Sequence, residues 1–240
     1  DRVLALERAV EDVAARNGTL LIPAFATERV QDLLFLLNEM LYFKRVPEMP
    51  VFVDSPLAIR ITTVFERYPT FYKEEIQQLF GKHPNLFRFK KLRLTETVQE
   101  SKAIRDYHGP KVIIAGSGMM NGGRILFHLR DHLPSSNTIL MIVGYQAAGT
   151  LGRRLIDRAK YVKILGEDVE VHAELRKVGG FSAHADNPQL FAFISGFRDT
   201  LKQVFVVQGE PASAMHLTQE VKDRLGIHAV APMLYQEFEI

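Results

Sequence analysis

Short, mostly apolar runs alternate with amphipathic stretches over the first 160 residues, and this alternation limits the possible folds more than any other feature. Strands are expected at 19–22, 51–53, 111–115 and 138–143, where dense Val, Ile and Leu argue for burial on both faces. Helical spacing fills the gaps at 3–13, 27–41, 57–68, 70–80, 123–132 and 151–159. Thr97 and Glu100 have capping-box spacing for a further helix through Asp106. Such alternation predicts a parallel α/β sheet with helices on both faces. Ligands of these sheets bind beyond the carboxyl ends of the strands. Pro23-Ala24-Phe25, Asp54-Ser55-Pro56, Gly116-Ser117-Gly118 and Gly144-Tyr145-Gln146 all fall there, and one shared cleft is expected.

Beyond residue 161 the pattern changes. Short strands are expected near 161–165, 169–171 and 175–178. A helix at 188–197, a strand at 203–207, a helix at 211–225 and a last strand near Tyr235 follow. A length of 240 residues allows one large domain or two small ones. The 47% hydrophobic content and 24% charge are ordinary for a globular chain. No apolar run approaches the roughly 20 residues of a membrane span, so no membrane partner is expected. The absence of cysteine excludes disulfides and thiolate zinc sites. Metals would fall to His, Asp or Glu, and a reducing cytoplasm is the expected location.

A net charge of +2 excludes a strongly basic coat but leaves room for a local patch. Residues 82–93 interleave basic and aromatic side chains, His83 among them. They suit phosphate contact and base stacking, or else form a half-buried strand with Leu86, Phe87, Phe89 and Leu92 in a core. The second reading is favoured.

Three segments carry candidate chemistry. Gly116-Ser117-Gly118-Met119-Met120-Asn121-Gly122-Gly123-Arg124 follows a strand and opens a helix. Its glycines let backbone N–H groups approach an anion, the helix dipole favours negative charge, and Ser117, Asn121 and Arg124 add donors. An RNA phosphate is the expected ligand, held by Ser117, Gly118, Asn121 and Arg124. A tight turn set by packing is the plain alternative. A dinucleotide-binding turn fits poorly, because Asn121 stands where the third glycine belongs. Asp54 lines the cleft or caps the helix opening at Pro56, and capping is favoured. His184, in Gly179-Gly180-Phe181-Ser182-Ala183-His184-Ala185-Asp186, stands at a strand-to-helix turn with small neighbours. There it can pass a proton, hold a metal or simply bond a loop carbonyl. Asp186 is expected to cap the helix that follows. His128 and His132 read as surface or cleft residues, and Arg153 and Arg154 as phosphate contacts or salt-bridge partners in equal measure.

Five segments in order resemble the metallo-β-lactamase-fold nucleases that carry a β-CASP domain, the cleavage-and-polyadenylation endonuclease family. They are Leu21-Ile22-Pro23-Ala24-Phe25-Ala26, Val53-Asp54-Ser55-Pro56-Leu57-Ala58, the glycine segment, residues 143–153 and Phe181-Ser182-Ala183-His184. The resemblance implies a connecting helix at 1–18 and a parallel, Rossmann-like β-CASP domain at 19–160. Residues 161–240 become the C-terminal strand–helix portion of a metallo-β-lactamase αββα fold. It implies RNA as partner, two zinc ions as cofactor, and phosphodiester hydrolysis. A homodimer is a further expectation. His184 matches the family histidine that protonates the leaving oxygen. The family's His-x-His-x-Asp-His zinc motif does not occur here, so the chain is expected to be a C-terminal fragment, inactive alone. At Val206-Val207-Gln208-Gly209-Glu210 the family pattern has a zinc-ligating His where Gln208 stands. That departure leaves open a second reading, an RNA- or partner-binding pseudo-enzyme with a degenerate metal site. A small-molecule nucleotide-binding protein accounts for the glycine loop but not for His184.

Overall fold

The computed structural model describes residues 1–82, 85–182 and 184–239. The chain divides into two compact units, Asp1–Ser182 and Ala183–Ile240. The first unit carries strands β1 (Thr19–Pro23), β2 (Val51–Asp54), β3 (Leu92–Leu94), β4 (Lys111–Ala115), β5 (Thr138–Ile142), β6 (Tyr161–Ile164), β7 (Glu167–Glu170) and β8 (Glu174–Lys177). Its helices are α1 (Arg2–Ala15), α2 (Arg29–Tyr42), α3 (Pro56–Arg67), α4 (Glu74–Lys82), α5 (Val98–Ala103), α6 (Ile125–His132) and α7 (Leu151–Ile156).

Among the described residues, six strands form one sheet in the order β3-β2-β4-β1-β5-β8, every pair parallel. The sheet is apolar on both faces because both are covered. Leu20, Ile22, Val112, Ile114, Ile139 and Met141 pack with α1, α2 and α3, while Leu21, Ile113, Leu140 and Ile142 pack with α6 and α7. From β1 the chain steps outward through β2 to β3, then returns to β4 beside β1. The helix after β1 lies on one face and the helix after β4 on the other. Adjacent parallel strands whose connections part to opposite faces open a crevice at their carboxyl ends. At that point of the sheet stand Pro23-Ala24-Phe25 and Gly116-Ser117-Gly118, the Phe25 ring packed on Gly118.

β6 and β7 form an antiparallel hairpin closed by Leu165 and Gly166, both at positive φ (52° and 88°), as a tight primed turn requires. This hairpin and β8 fall within the first compact unit, and β8 extends its sheet beside β5. The second unit holds α8 (Asn187–Ser195), β9 (Gln203–Phe205), α9 (Pro211–Leu225) and β10 (His228–Val230). β9 and β10 pair in parallel, and Leu217, Val221, Ile227 and Ala229 form its core. The strand expected near Tyr235 does not form. The chain pairs earlier, at His228–Val230, and Pro232, which has no ladder donor, follows at once.

Candidate functional site

The carboxyl edge of the sheet is organised around a buried anion. Asp54 ends β2 with no exposed surface. Thr95 Oγ1 and Arg124 Nη1 each donate to its Oδ1 at 2.8 Å. Ser101 Oγ donates to Oδ2 at 2.6 Å, and His128 Nε2 lies 2.6 Å from the same oxygen. Burial alone would push the Asp54 carboxyl up, but the bonds from His128, Ser101, Thr95 and Arg124 override it and hold the pKa at about 2. At neutral pH the group is a carboxylate, so His128 must present an N–H to it. Arg124 and His128 are four residues apart, on one face at the start of α6.

Two expectations change here. Ser55, not Asp54, caps α3, its Oγ accepting from Ala58 N at 3.3 Å. His128 is neither on the surface nor in a cleft but 5% exposed against Asp54. His132, one turn further on, is half-buried, and burial followed by the nearby Lys111 and His128 charges lowers its pKa to about 4.

The glycine loop folds onto itself. The Gly116–Ser117 peptide is cis. Ser117 N donates to Gly122 O at 3.0 Å, and Asn121 N donates to Ser117 Oγ at 3.1 Å. The first N–H groups of α6, those of Ile125 and Leu126, go to Gly116 O and Gly123 O. A Cβ on Gly123 (φ 78°) would stand 2.4 Å from Gly116 O, so glycine is required there. Gly118 lies under the Phe25 ring, 2.6 Å from any added Cβ, and its carbonyl accepts from the buried Gln146 Nε2 at 2.9 Å.

The expected phosphate cradle is therefore altered. Arg124 donates not only to Asp54 but also to Thr95 O at 2.9 Å and Glu96 O at 2.8 Å. Its guanidinium holds the loop in place from inside the fold. What the loop offers outward is exposed Asn121 and half-buried Ser117, with Phe25 (47% exposed) and Tyr145 (56%) on the flanking strand ends.

His184 and Gln208 belong to the second unit. The segment before His184 is anchored in the first unit. Phe181 is buried there, with the Arg2 and Arg29 guanidinium carbons 5.1 and 5.6 Å from its ring centroid, and Gly180 O accepts from Arg2 Nη1. Ala183 lies outside the described residues. His184 is exposed ahead of α8, which Asp186 caps as expected, in a capping box with Gln189. Gln208 is exposed at φ 66° in the loop before α9, and His216 is exposed on α9. Among the described residues no group of three His, Cys, Asp or Glu side chains converges to hold a metal. These residues do not by themselves fit a zinc site.

The basic–aromatic segment is spent on structure. Leu86 and Phe87 are buried, Phe89 and Leu92 pack on the core, and Arg88 pairs with Glu66 at 2.7 Å. His83 and Pro84 of that segment lie outside the described residues. Arg153 pairs with Asp157 at 3.2 Å. No described helix is long and apolar enough to cross a membrane. Sequence reasoning overlooked Thr95 and Ser101, and it put His128 at the surface or in a cleft instead of against Asp54. The i, i+4, i+8 series Arg124, His128, His132 was the available signal, a polar stripe beside the buried Ile125 and Leu129 of the same helix.

The chain matches two family models in tandem: a "Beta-Casp domain" over residues 30–155 and a "Zn-dependent metallo-hydrolase RNA specificity domain" over residues 168–232. It is similar to "Ribonuclease TTHA0252" of Thermus thermophilus, 38% identical over 208 residues, covering 87% of this chain and 47% of that protein. It is also similar to proteins named "Transcription termination factor FttA". That of Methanosarcina mazei is 29% identical over 232 residues (94% of this chain, 36% of that protein), and that of Pyrococcus horikoshii 28% over 233 residues (95% and 36%). The chain thus spans about half or less of the length of these relatives.

Proposed function

Because the chain belongs to the β-CASP family, we propose that it serves RNA phosphodiester hydrolysis as the β-CASP and RNA-specificity portion of a zinc-dependent nuclease. The observation that carries this reading is the tandem of the two matched domains, with His184 exposed at the turn into α8 within the second. In this reading His184 gives a proton to the oxygen leaving the cut phosphodiester, a task suited to an accessible imidazole. The glycine loop lies along the RNA path. Ser117 and Asn121 meet the phosphate backbone, with Gly118 shaping the loop beneath Phe25, and Phe25 and Tyr145 offer faces for unstacked bases. Arg124 acts through the loop, as a positioning residue tied to Asp54. Two zinc ions are expected in the whole protein, on ligands mostly outside this chain.

Gln208 favours a second reading, a binding module with a weakened metal site, because an amide is a poorer zinc ligand than imidazole. One experiment separates the two. In the whole protein that carries this chain, His184→Ala should lower RNA turnover by about 10²–10⁴-fold, with zinc per chain unchanged. Gln208→His should raise zinc affinity, and turnover with it if the protein is a weakened enzyme. Loss of zinc on removing His184, with no zinc response at position 208, would reverse the two assignments. No turnover in any form would leave the binding module.

A further inference from the structure

The amino edge of the same sheet holds a polar cavity of about 300 Å³, at the lower end of small-molecule site volumes. It opens between the first residues of three strands, Thr19 of β1, Lys111 of β4 and Thr138 of β5, with Arg105, His108 and His132 around them. Lys111 is 5% exposed. Its ammonium carries three protons, and the described bond takes one, to Tyr107 O at 2.8 Å. The Tyr107 ring centroid lies 5.8 Å away. Among the described residues no carboxylate comes within salt-bridge distance of it. A buried ammonium facing a cavity without a counter-ion is costly, and an anion in that cavity would relieve the cost. Arg105, 70% exposed and 3.9 Å from Asp131, places a second cation at the rim.

We propose that this cavity binds the phosphate group of a polar phosphorylated ligand, with Lys111 as its buried cation and Arg105 at its rim. A tetrahedral phosphate needs donors from several directions. The threonine hydroxyls, the Asn137 amide and the two cations supply them. Apart from the Tyr107 ring the lining is polar, which suits a sugar carrier better than an aliphatic one. The cavity lies about 16 Å, one five-residue strand, from the glycine loop, so RNA running past that loop would leave it free. The phosphate can belong to a free nucleotide or to an RNA strand.

The test is isothermal titration of the full chain at low ionic strength with inorganic phosphate, adenosine 5′-monophosphate and a short 5′-phosphorylated single-stranded RNA. The nucleotide should saturate one site per chain, weakened about tenfold or more by Lys111→Met. Arg105→Gln should weaken it by a few-fold. Displacement of the nucleotide by the RNA assigns the phosphate to a strand, and its absence assigns it to a free ligand; both uphold the site. If Lys111→Met does not fold, amide shifts in the wild-type chain decide. Shifts at Thr19, Lys111 and Thr138 uphold the proposal, and shifts confined elsewhere overturn it. No saturable binding by any probe, or binding that neither variant weakens, also overturns it. Lys111 would then be only the closure of the turn after α5.

Discussion

The two edges of one sheet treat buried charge in opposite ways. At the carboxyl edge Asp54 has no exposed surface and four side-chain partners, two of them basic. At the amino edge Lys111 is almost as deeply buried, and its described bond is to one backbone carbonyl. The same helix serves both, since α6 sends Arg124 and His128 to Asp54 and ends at His132 beside the Lys111 cavity. A fully satisfied buried charge fixes a structure, whereas a sparsely satisfied one is available to a ligand. The carboxyl edge is thus a braced platform under the glycine loop, and the amino edge an open receptor.

The sharpest way to break this contrast is Asp54→Asn. Asparagine keeps the shape but removes the charge that Arg124 and His128 address, leaving a cation buried without its counter-ion. A loss of about 3–5 kcal/mol is expected in urea unfolding at pH 7. The acid limb should agree. The folded-state pKa is depressed to about 2 from an ordinary 3.8, so the Asp54 contribution is complete above about pH 4 and fades toward pH 2. The variant should lack that fade. A cost under about 1 kcal/mol, typical of an exposed pair, would mean that the network does not hold the edge.

How much of this was legible beforehand differs between the edges for physical reasons. The parallel sheet was readable because burial on both faces forces near-continuous Val, Ile and Leu in β1, β4 and β5. The carboxyl-edge loops were readable because glycines and Asp-Ser-Pro mark strand ends. The partners of Asp54 were not, since Thr95, Ser101 and His128 come from a loop and two helices 41 to 74 residues away. A capping reading for Asp54 was locally reasonable, but it failed because Ser55 does that work one residue later. The amino-edge cavity left no trace at all. Lys111 opens an apolar strand and reads there as a solvated end, until three strand starts are brought together.

A second, smaller effect concerns His132. Burial, then the Lys111 and His128 charges, lower its folded pKa to about 4 from 6.5, against a weaker opposing pull from Asp131. The unfolded chain therefore binds the extra proton first, and stability should fall as pH drops from about 6.5 to 4, by roughly 3 kcal/mol at most. This window lies above that of Asp54, so one acid titration of melting temperature reads both edges. His132→Gln should flatten the upper window and leave the lower one intact. An unchanged upper window would place the titrating group elsewhere.

The smallest effect expected is the most discriminating. Lys111→Met matches the aliphatic stem, deletes the buried ammonium and removes one donor from Tyr107 O. The lost hydrogen bond costs about 0.5–1.5 kcal/mol, while relief of the uncompensated charge acts in the opposite sense. The net change at pH 7 should stay within about 1 kcal/mol, several-fold less than for Asp54→Asn. It should also raise the His132 pKa, because a neighbouring positive charge is gone. Urea unfolding and a histidine titration by nuclear magnetic resonance measure the two together. If Lys111→Met costs as much as Asp54→Asn, the amino edge is braced like the carboxyl edge, and the contrast between platform and receptor fails.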